Sequence, residues 1–158
     1  MGSEGKRKAR KLLTVRDYER VARQRLTKAA YDYFRSGAEL ERALSRNERA
    51  FRKYVVWYKV LVDVALRDIG TTVLGTPVAL PILIAPTAYH RLAHPEGELA
   101  TARAAAAAGT VYVVSTLATT KLEDVAAASA GPKWFQLYVH KDRELTRDLV
   151  ERAESAGD

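Results

Sequence analysis

Residues 82–86 read ILIAP, residues 111–115 read VYVVS and residues 133–138 read KWFQLY, and these three apolar runs decide the fold. Helical stretches separate the runs, and such alternation predicts parallel strands joined by right-handed crossovers. Parallel strands in barrels and doubly wound sheets are buried on both faces. This burial accounts for apolar runs that are continuous instead of strictly alternating.

Polar side chains occur where each run ends. In a parallel sheet the carboxyl ends of the strands lie on one edge, and the loops that follow them carry the chemistry. Thr87 follows the first run, Ser115 closes the second, and Gln136 and Tyr138 close the third. We expect these side chains on one rim of the sheet, where they form the candidate site.

The composition is that of a folded globular protein. The chain has 158 residues, of which 47% are hydrophobic and 28% charged, enough for one ordinary domain with a core. No stretch reaches the ~18 uninterrupted apolar residues of a membrane helix. The chain contains no cysteine, so disulfides and thiolate metal sites are excluded. We expect a cytoplasmic protein without a membrane span.

The amino terminus is basic and polar. Five basic residues lie among positions 6–11, and no apolar stretch of signal-peptide length follows them. Residues 1–13 are predicted to be a disordered tail, since charge runs of this kind are ordinarily solvated. A nucleic-acid-binding protein is one alternative, because the net charge is +7. It would require salt-sensitive binding that survives removal of residues 1–11, and we expect no nucleic-acid partner.

Helices are predicted over residues 14–52. Thr14 and Thr27 can each cap a helix, because their hydroxyls can accept from amides of the first turn. Gly37 can end the second helix in the left-handed conformation. A third, strongly charged helix is predicted over residues 39–51.

A hairpin and three more helices are predicted beyond this region. Residues 55–64 are expected to be partly extended, and residues 71–80 have the pattern of a β-hairpin around Gly75. Each later helix has predicted boundary residues: Pro95 at the first position and Gly109 at the end of one, Thr119 or Thr120 before the next, and Asp142 and Gly157 around the last.

Four longer strings occur in order along the chain, and together they are specific. They read YDYFRSGAE at residues 31–39, IAPTA at 84–88, AHPEGE at 93–98 and FQLYV at 135–139. From about Val15 to its carboxyl end, the chain resembles the flavin mononucleotide (FMN)-dependent α-hydroxy acid oxidases and dehydrogenases.

The resemblance implies an α/β fold of the TIM (β/α)8 barrel family. Such a barrel needs eight β/α units. The chain carries an amino-terminal helical segment, a hairpin and about three of these units. Residues 14–158 would then be the truncated, amino-terminal part of an FMN hydroxy acid dehydrogenase domain. The full-length form is expected to be a homo-oligomer.

The resemblance also implies an activity, the FMN-dependent oxidation of an (S)-2-hydroxy acid to a 2-oxo acid. Pro86, Thr87 and Ala88 would lie along the flavin, with the Ala88 amide near its N5 atom. A backbone donor there can stabilise negative charge on the reduced ring. Ser115 and Gln136 would hydrogen-bond the polar edge of the flavin, which needs both donors and acceptors.

Three side chains are assigned to the substrate by the same resemblance. Tyr33 and Tyr138 would donate to the carboxylate or hydroxyl of a 2-hydroxy acid. Tyr138 would also contact the flavin and steady the charge that develops as the substrate hydroxyl loses its proton. Leu117 stands where small-substrate members such as plant glycolate oxidase have tryptophan. A longer or aromatic substrate is therefore expected.

The resemblance places the catalytic base, a histidine, on a later strand that this chain does not carry. No metal site is predicted, and His90 is assigned no role. We expect the 158 residues alone neither to turn over hydroxy acids nor to hold flavin tightly. The alternative is a truncated, non-catalytic half-barrel product that acts, if at all, by pairing with itself or with a partner.

Overall fold

The computed structural model describes residues 12–157, and the chain divides into two units. The first unit spans Met1–Val55 and the second Val56–Asp158. Most of the predicted basic tail lies outside the described residues, so its disorder stays a prediction. Within the described range, no helix combines the length and the apolar character needed to cross a bilayer.

The described part of the first unit, residues 12–55, contains three α-helices: α1 at Val15–Arg25, α2 at Lys28–Arg35 and α3 at Arg42–Ala50, the last followed by a 3-10 turn at Phe51–Lys53. Both predicted caps are confirmed. The Thr14 hydroxyl accepts from the Asp17 amide while the Asp17 carboxylate accepts from the Thr14 amide, which completes a capping box. The Thr27 hydroxyl accepts from the Ala30 amide at 3.2 Å.

Helix α2 ends at the predicted place, but its end does not use a left-handed glycine. Its cap residue, Ser36, is extended, with φ −75° and ψ 152°. The prediction of a left-handed Gly37 is wrong, because that residue is not among the glycines with positive φ. A Cβ at Gly37 would lie 2.9 Å from Leu44 Cγ, so the glycine allows close packing instead of a backbone turn.

The second unit opens with an irregular, exposed segment at residues 56–70, in which the predicted extended structure forms no strand. The predicted hairpin follows and is confirmed. Strand β1, Thr71–Val73, pairs antiparallel with β2, Thr76–Val78. The two turn residues, Leu74 and Gly75, both have positive φ, of 48° and 83°. This is the backbone that a two-residue hairpin turn requires.

Two of the three apolar runs form a parallel pair, as predicted. Strand β3, Tyr112–Ser115, pairs in parallel with β4, Lys133–Gln136. The first run is shorter than predicted: only Ile84 makes a parallel bridge to β3, through two backbone hydrogen bonds of 3.0 Å. Pro81 and Pro86 flank it, and proline has no N–H to extend a ladder of hydrogen bonds.

Three α-helices accompany the strands within residues 56–157: α4 at Gly97–Ala107, α5 at Leu122–Ala127 and α6 at Arg143–Ala156. A 3-10 turn at His90–Leu92 lies in the loop after the first run. Asp142 caps α6 by accepting from the Glu144 and Leu145 amides, and Gly157 ends that helix in the left-handed region. Gly109, after α4, has φ +65°. These three predicted boundaries are confirmed.

Two helix starts differ from the prediction. Pro95 precedes α4 instead of occupying its first position. The cap residue is Glu96, and the helix begins at Gly97. Neither Thr119 nor Thr120 caps α5, whose cap residue, Lys121, makes no side-chain cap bond. The two threonine hydroxyls bond elsewhere, to a buried carboxylate on α4.

The core of the second unit packs the helices against the parallel pair. Its buried members come from α4, β3, α5 and α6: Ala102, Ala105, Tyr112, Val114, Leu122, Val125 and Ala153. The alanines allow helix and sheet backbones to approach closely, and full burial of a valine contributes roughly 1.5–3 kcal/mol. This core fixes β3 and β4, and thereby the position of the side chains at their carboxyl ends.

Candidate functional site

The carboxyl ends of β3 and β4 bring Ser115 and Gln136 into contact. The two residues are opposite each other in register, and the Ser115 hydroxyl donates to Gln136 Oε1 at 3.3 Å. The same hydroxyl oxygen accepts from the Leu117 amide at 3.1 Å. Because its proton is committed, Ser115 can offer a ligand a lone pair, while Gln136 has amide N–H groups to donate.

Thr116 holds the loop that follows β4, a role that the sequence analysis missed. Its amide donates to the Gln136 carbonyl at 3.1 Å, and its hydroxyl donates to the same carbonyl. The hydroxyl oxygen in turn accepts from the Tyr138 amide at 3.0 Å. Tyr138 is 55% exposed at the rim. The available signal was a hydroxyl residue directly after a strand.

The loop after the first run adjoins the loop after β3. Pro86 and Thr87 are exposed, and Ala88 is half-buried. The Thr87 hydroxyl lies 3.5 Å from the Ala85 carbonyl. The next residue in the chain, Tyr89, donates its amide to the carbonyl of Leu117 at 3.2 Å.

The candidate residues of the second unit therefore lie on adjoining loops at the carboxyl ends of the strands. Leu117 is 40% exposed there, which leaves its side chain accessible to a ligand. Tyr33 lies in the first unit, on α2, and packs edge-on against Phe34 with ring centroids 5.1 Å apart. Its role toward a substrate stays a prediction.

A buried carboxylate lies between these loops, and the sequence analysis assigned it no role. Glu98, in the first turn of α4, is 0% exposed. It accepts from the Thr119 amide at 2.7 Å, from the Thr119 and Thr120 hydroxyls at 2.7 Å, and from the His90 amide at 3.2 Å. Burial alone would raise the pKa of Glu98, but the threonine hydrogen bonds outweigh it and lower the pKa to about 2.

Two uncharged groups surround this carboxylate. His90 Nδ1 lies 3.1 Å from Thr101 Oγ1, and burial lowers the His90 pKa below its ordinary value against the opposing effect of Glu98. Burial also raises the pKa of the Tyr112 hydroxyl, which has no hydrogen-bond partner among residues 12–157. The histidine and tyrosine are therefore neutral at pH 7, and the negative charge of this cluster resides on Glu98.

Comparison with known proteins identifies the family. Residues 22–158 match the family model of the FMN-dependent dehydrogenases. The chain belongs to this family. The family membership confirms the resemblance drawn from the four sequence strings.

Individual relatives are oxidases of 2-hydroxy acids. Glycolate oxidase 1 of Zea mays and glycolate oxidase of Spinacia oleracea are each 49% identical over 146 residues, 92% of this chain and 40% of theirs. A solved structure of a mandelate oxidase variant with (S)-mandelic acid aligns with a TM-score of 0.86 at 40% identity, covering 93% of this chain and 44% of that one. The chain thus spans about two fifths of the length of the curated relatives that it matches.

No group of three or more histidine, cysteine, aspartate or glutamate residues within residues 12–157 could hold a metal ion. The polar groups that this part of the family fold presents at the strand ends are hydroxyls, amides and backbone groups. Such groups suit an organic cofactor with donors and acceptors on one edge.

Proposed function

We propose that this chain supplies the amino-terminal part of an FMN-dependent enzyme that oxidises an (S)-2-hydroxy acid to a 2-oxo acid on a (β/α)8 barrel. The observation that carries the proposal is the contact between Ser115 and Gln136 at the ends of adjacent parallel strands. In a member of the FMN-dependent dehydrogenase family, these side chains occupy the edge of the sheet where such folds bind ligands.

The residues present fit FMN. Its ring edge carries carbonyls and an N–H group, which complement the amide donors of Gln136 and the lone pair of Ser115. Pro86, Thr87 and Ala88 offer backbone and small side chains, which allow a flat ring to approach closely. Bound FMN would supply the acceptor of the two electrons that leave the substrate.

Two of the residues assigned to the substrate, Leu117 and Tyr138, lie on the same rim. Tyr138 would donate its phenolic proton to the substrate hydroxyl or carboxylate and orient it. The substrate role of Tyr33, which lies in the first unit, is proposed from the family resemblance alone. Leu117 would leave room for a long or aromatic side chain. The catalytic base would come from a part of the barrel outside this chain.

A chimera tests the cofactor proposal. Residues 13–158 would replace the matching segment of maize glycolate oxidase 1, and bound FMN would be measured by its visible absorption. We expect a yellow protein that oxidises 2-hydroxy acids. In it, Ser115→Ala should weaken FMN binding about tenfold, the equivalent of one buried hydrogen bond. Tyr138→Phe should lower kcat while FMN stays bound. A folded but colourless chimera would overturn the proposal.

The same chimera tests the substrate class through Leu117. We expect a higher kcat/KM for mandelate than for glycolate, and Leu117→Trp should reverse this preference by filling the space. Leu117→Ile is the matched control, because it keeps nearly the same volume. Equal activity on both acids, unchanged by the tryptophan, would contradict the assignment.

The second candidate function is pairing of a non-catalytic half-barrel. Within residues 12–157, β4 is paired only with β3, and an unpaired strand edge is a template for association. Trp57, Leu61 and Leu66 are also at least 88% exposed. If the chain is a paired half-barrel, sedimentation across a range of protein concentrations would show a defined oligomer. Absence of flavin absorption after gel filtration of the chain is expected on either reading.

Cytoplasmic location, absence of a nucleic-acid partner and a homo-oligomeric full-length form are further proposals. The first two follow from the cysteine-free composition and from a basic region confined largely to the amino-terminal tail and the helices. Binding to a DNA duplex that falls with salt and survives removal of residues 1–11 would contradict the second.

A further inference from the structure

Glu98 connects two loops that belong to different strands. One carboxylate oxygen, Oε1, accepts from the His90 amide at 3.2 Å and from the Thr119 amide at 2.7 Å. The other, Oε2, accepts from the Thr119 and Thr120 hydroxyls, both at 2.7 Å. His90 belongs to the loop after the first run, whereas the threonines belong to the loop after β3. The carboxylate therefore joins the two loops.

The surrounding backbone bonds reinforce this connection. The Thr119 hydroxyl oxygen accepts from the Arg91 amide at 3.2 Å while its proton goes to Glu98. The Tyr89 amide donates to the Leu117 carbonyl at 3.2 Å. Three successive residues of the first loop, 89–91, are thus bound to the second loop or to the carboxylate between them. Ala88 comes immediately before this bound stretch.

The connection is made by a buried charge. Glu98 is fully buried, and no ion pair within the described part of the chain includes it. A buried charge is costly unless hydrogen bonds compensate for the water it has lost. Charge-assisted hydrogen bonds are short and directional. A carboxylate therefore sets the distance between two loops more strictly than apolar packing would.

We propose that Glu98 is a positioning residue of the flavin site: it sets the spacing between the loop that carries Ala88 and the end of β3 with its following loop, which carry Ser115 and Leu117. The inference rests on the proposed function, since these are the residues assigned to FMN and substrate. Glu98 does not touch the ligand in this proposal. It acts through the His90 and Thr119 amides and the Thr119 and Thr120 hydroxyls, to which its carboxylate is bonded.

The test is amide NMR of the 158-residue chain with Glu98→Gln and a matched control, Glu96→Gln. Glutamine keeps the size of Glu98 but places an NH2 group against donors. Glu96 lies two residues away and is exposed, and its carboxylate pairs with Arg103. We expect Glu98→Gln to shift the Ala88 and Ser115 amides, which it does not contact, and to speed amide exchange in both loops about tenfold. The control should change only its own neighbours.

One outcome would overturn the inference, and two further variants extend the test. Shifts confined to the direct contacts of Glu98, with Ala88 and Ser115 unchanged, would overturn it, since a local structural role predicts that pattern. If Glu98→Gln does not fold, Thr119→Val removes one hydroxyl partner and is read by the same amides. Glu98→Asp keeps the charge, so its Ala88 and Ser115 amide shifts should lie closer to those of wild type than the shifts of the uncharged Glu98→Gln variant do.

A separate titration keeps the proposed function distinct. Millimolar FMN added to the wild-type chain should perturb the Ala88 and Ser115 amides, even though binding is weak. If the chain shows no perturbation, the chimera decides the flavin site, since a folded but colourless chimera refutes it, and the loop connection stays measurable in the chain. If FMN perturbs wild type and Glu98→Gln alike, with equal affinity, the flavin site stands and the positioning role is refuted.

Discussion

Replacing Thr120 with valine should measure the strength of the buried hydrogen bond to Glu98. Thr120 is 7% exposed, and its hydroxyl donates to Glu98 Oε2 at 2.7 Å. Valine has nearly the same shape and cannot donate. Loss of a hydrogen bond to a charged group costs about 1.5–3 kcal/mol, and the methyl group gained returns up to about 0.8 kcal/mol. We expect the free energy of unfolding to fall by about 1–2 kcal/mol at pH 7.

The pH dependence of this loss has a definite sign. The pKa of Glu98 in the folded chain, about 2, lies below its ordinary value. Its contribution to stability is therefore complete above about pH 4.3 and is lost as the pH falls toward 2. Without the Thr120 hydroxyl the folded pKa rises, so the variant loses less on acidification. The difference between wild type and variant should narrow below pH 4.

Urea unfolding followed by circular dichroism gives both quantities. Thr120→Ser keeps the hydroxyl and should cost less than Thr120→Val. Thr72→Val, at an exposed position of β1, should stay within about 0.5 kcal/mol of wild type. If Thr120→Val matched wild type at pH 7, or if its deficit grew on acidification, the assignment of a charged, hydroxyl-bound Glu98 would be refuted.

Further predictions concern backbone strain and surface charge. Gly75→Ala and Gly109→Ala both place a side chain at positive φ, which costs about 1–2 kcal/mol. Gly109→Ala should cost more in urea unfolding, because its Cβ would lie 2.9 Å from Ala79 Cβ whereas Gly75 is open; equal costs would contradict this packing. Arg152→Ala removes an exposed pair with Glu123, whose two bonds measure 2.7 and 3.1 Å. Arg152→Ala should lower the free energy of unfolding by less than about 1 kcal/mol, and by less still in 1 M salt. A larger loss of stability that does not depend on salt would indicate a packing role.

Local chemistry made much of the fold predictable. Thr14, Thr27 and Asp142 act as helix caps because their side-chain oxygens satisfy the nearby amides of the first turn. The hairpin at Gly75 and the end of α4 at Gly109 follow from the positive φ of those residues. Parallel pairing of β3 and β4 follows from apolar runs separated by helices.

Helix boundaries were predicted wrongly where another residue, near or distant in sequence, makes the contact or takes the place that the local pattern suggested. Thr119 and Thr120 have the chemistry of a cap for α5, but Glu98, more than 20 positions earlier, takes both hydroxyls. Pro95 suits a first helical position, yet Glu96 caps α4. Gly37 could adopt the left-handed conformation, but its role in the structure is different: the absence of a Cβ allows Leu44 to pack closely against it.

The sequence by itself determined the family, the order of elements and the residues at the strand ends, because each depends on strings or periodicities within a few positions. Only the tertiary structure placed the Ser115 hydroxyl against Gln136, and only it buried Glu98 between two loops. Hydrogen bonds between residues 20 or more positions apart depend on how helices and strands pack. A pattern read along the chain does not show which residues, far apart in sequence, come into contact.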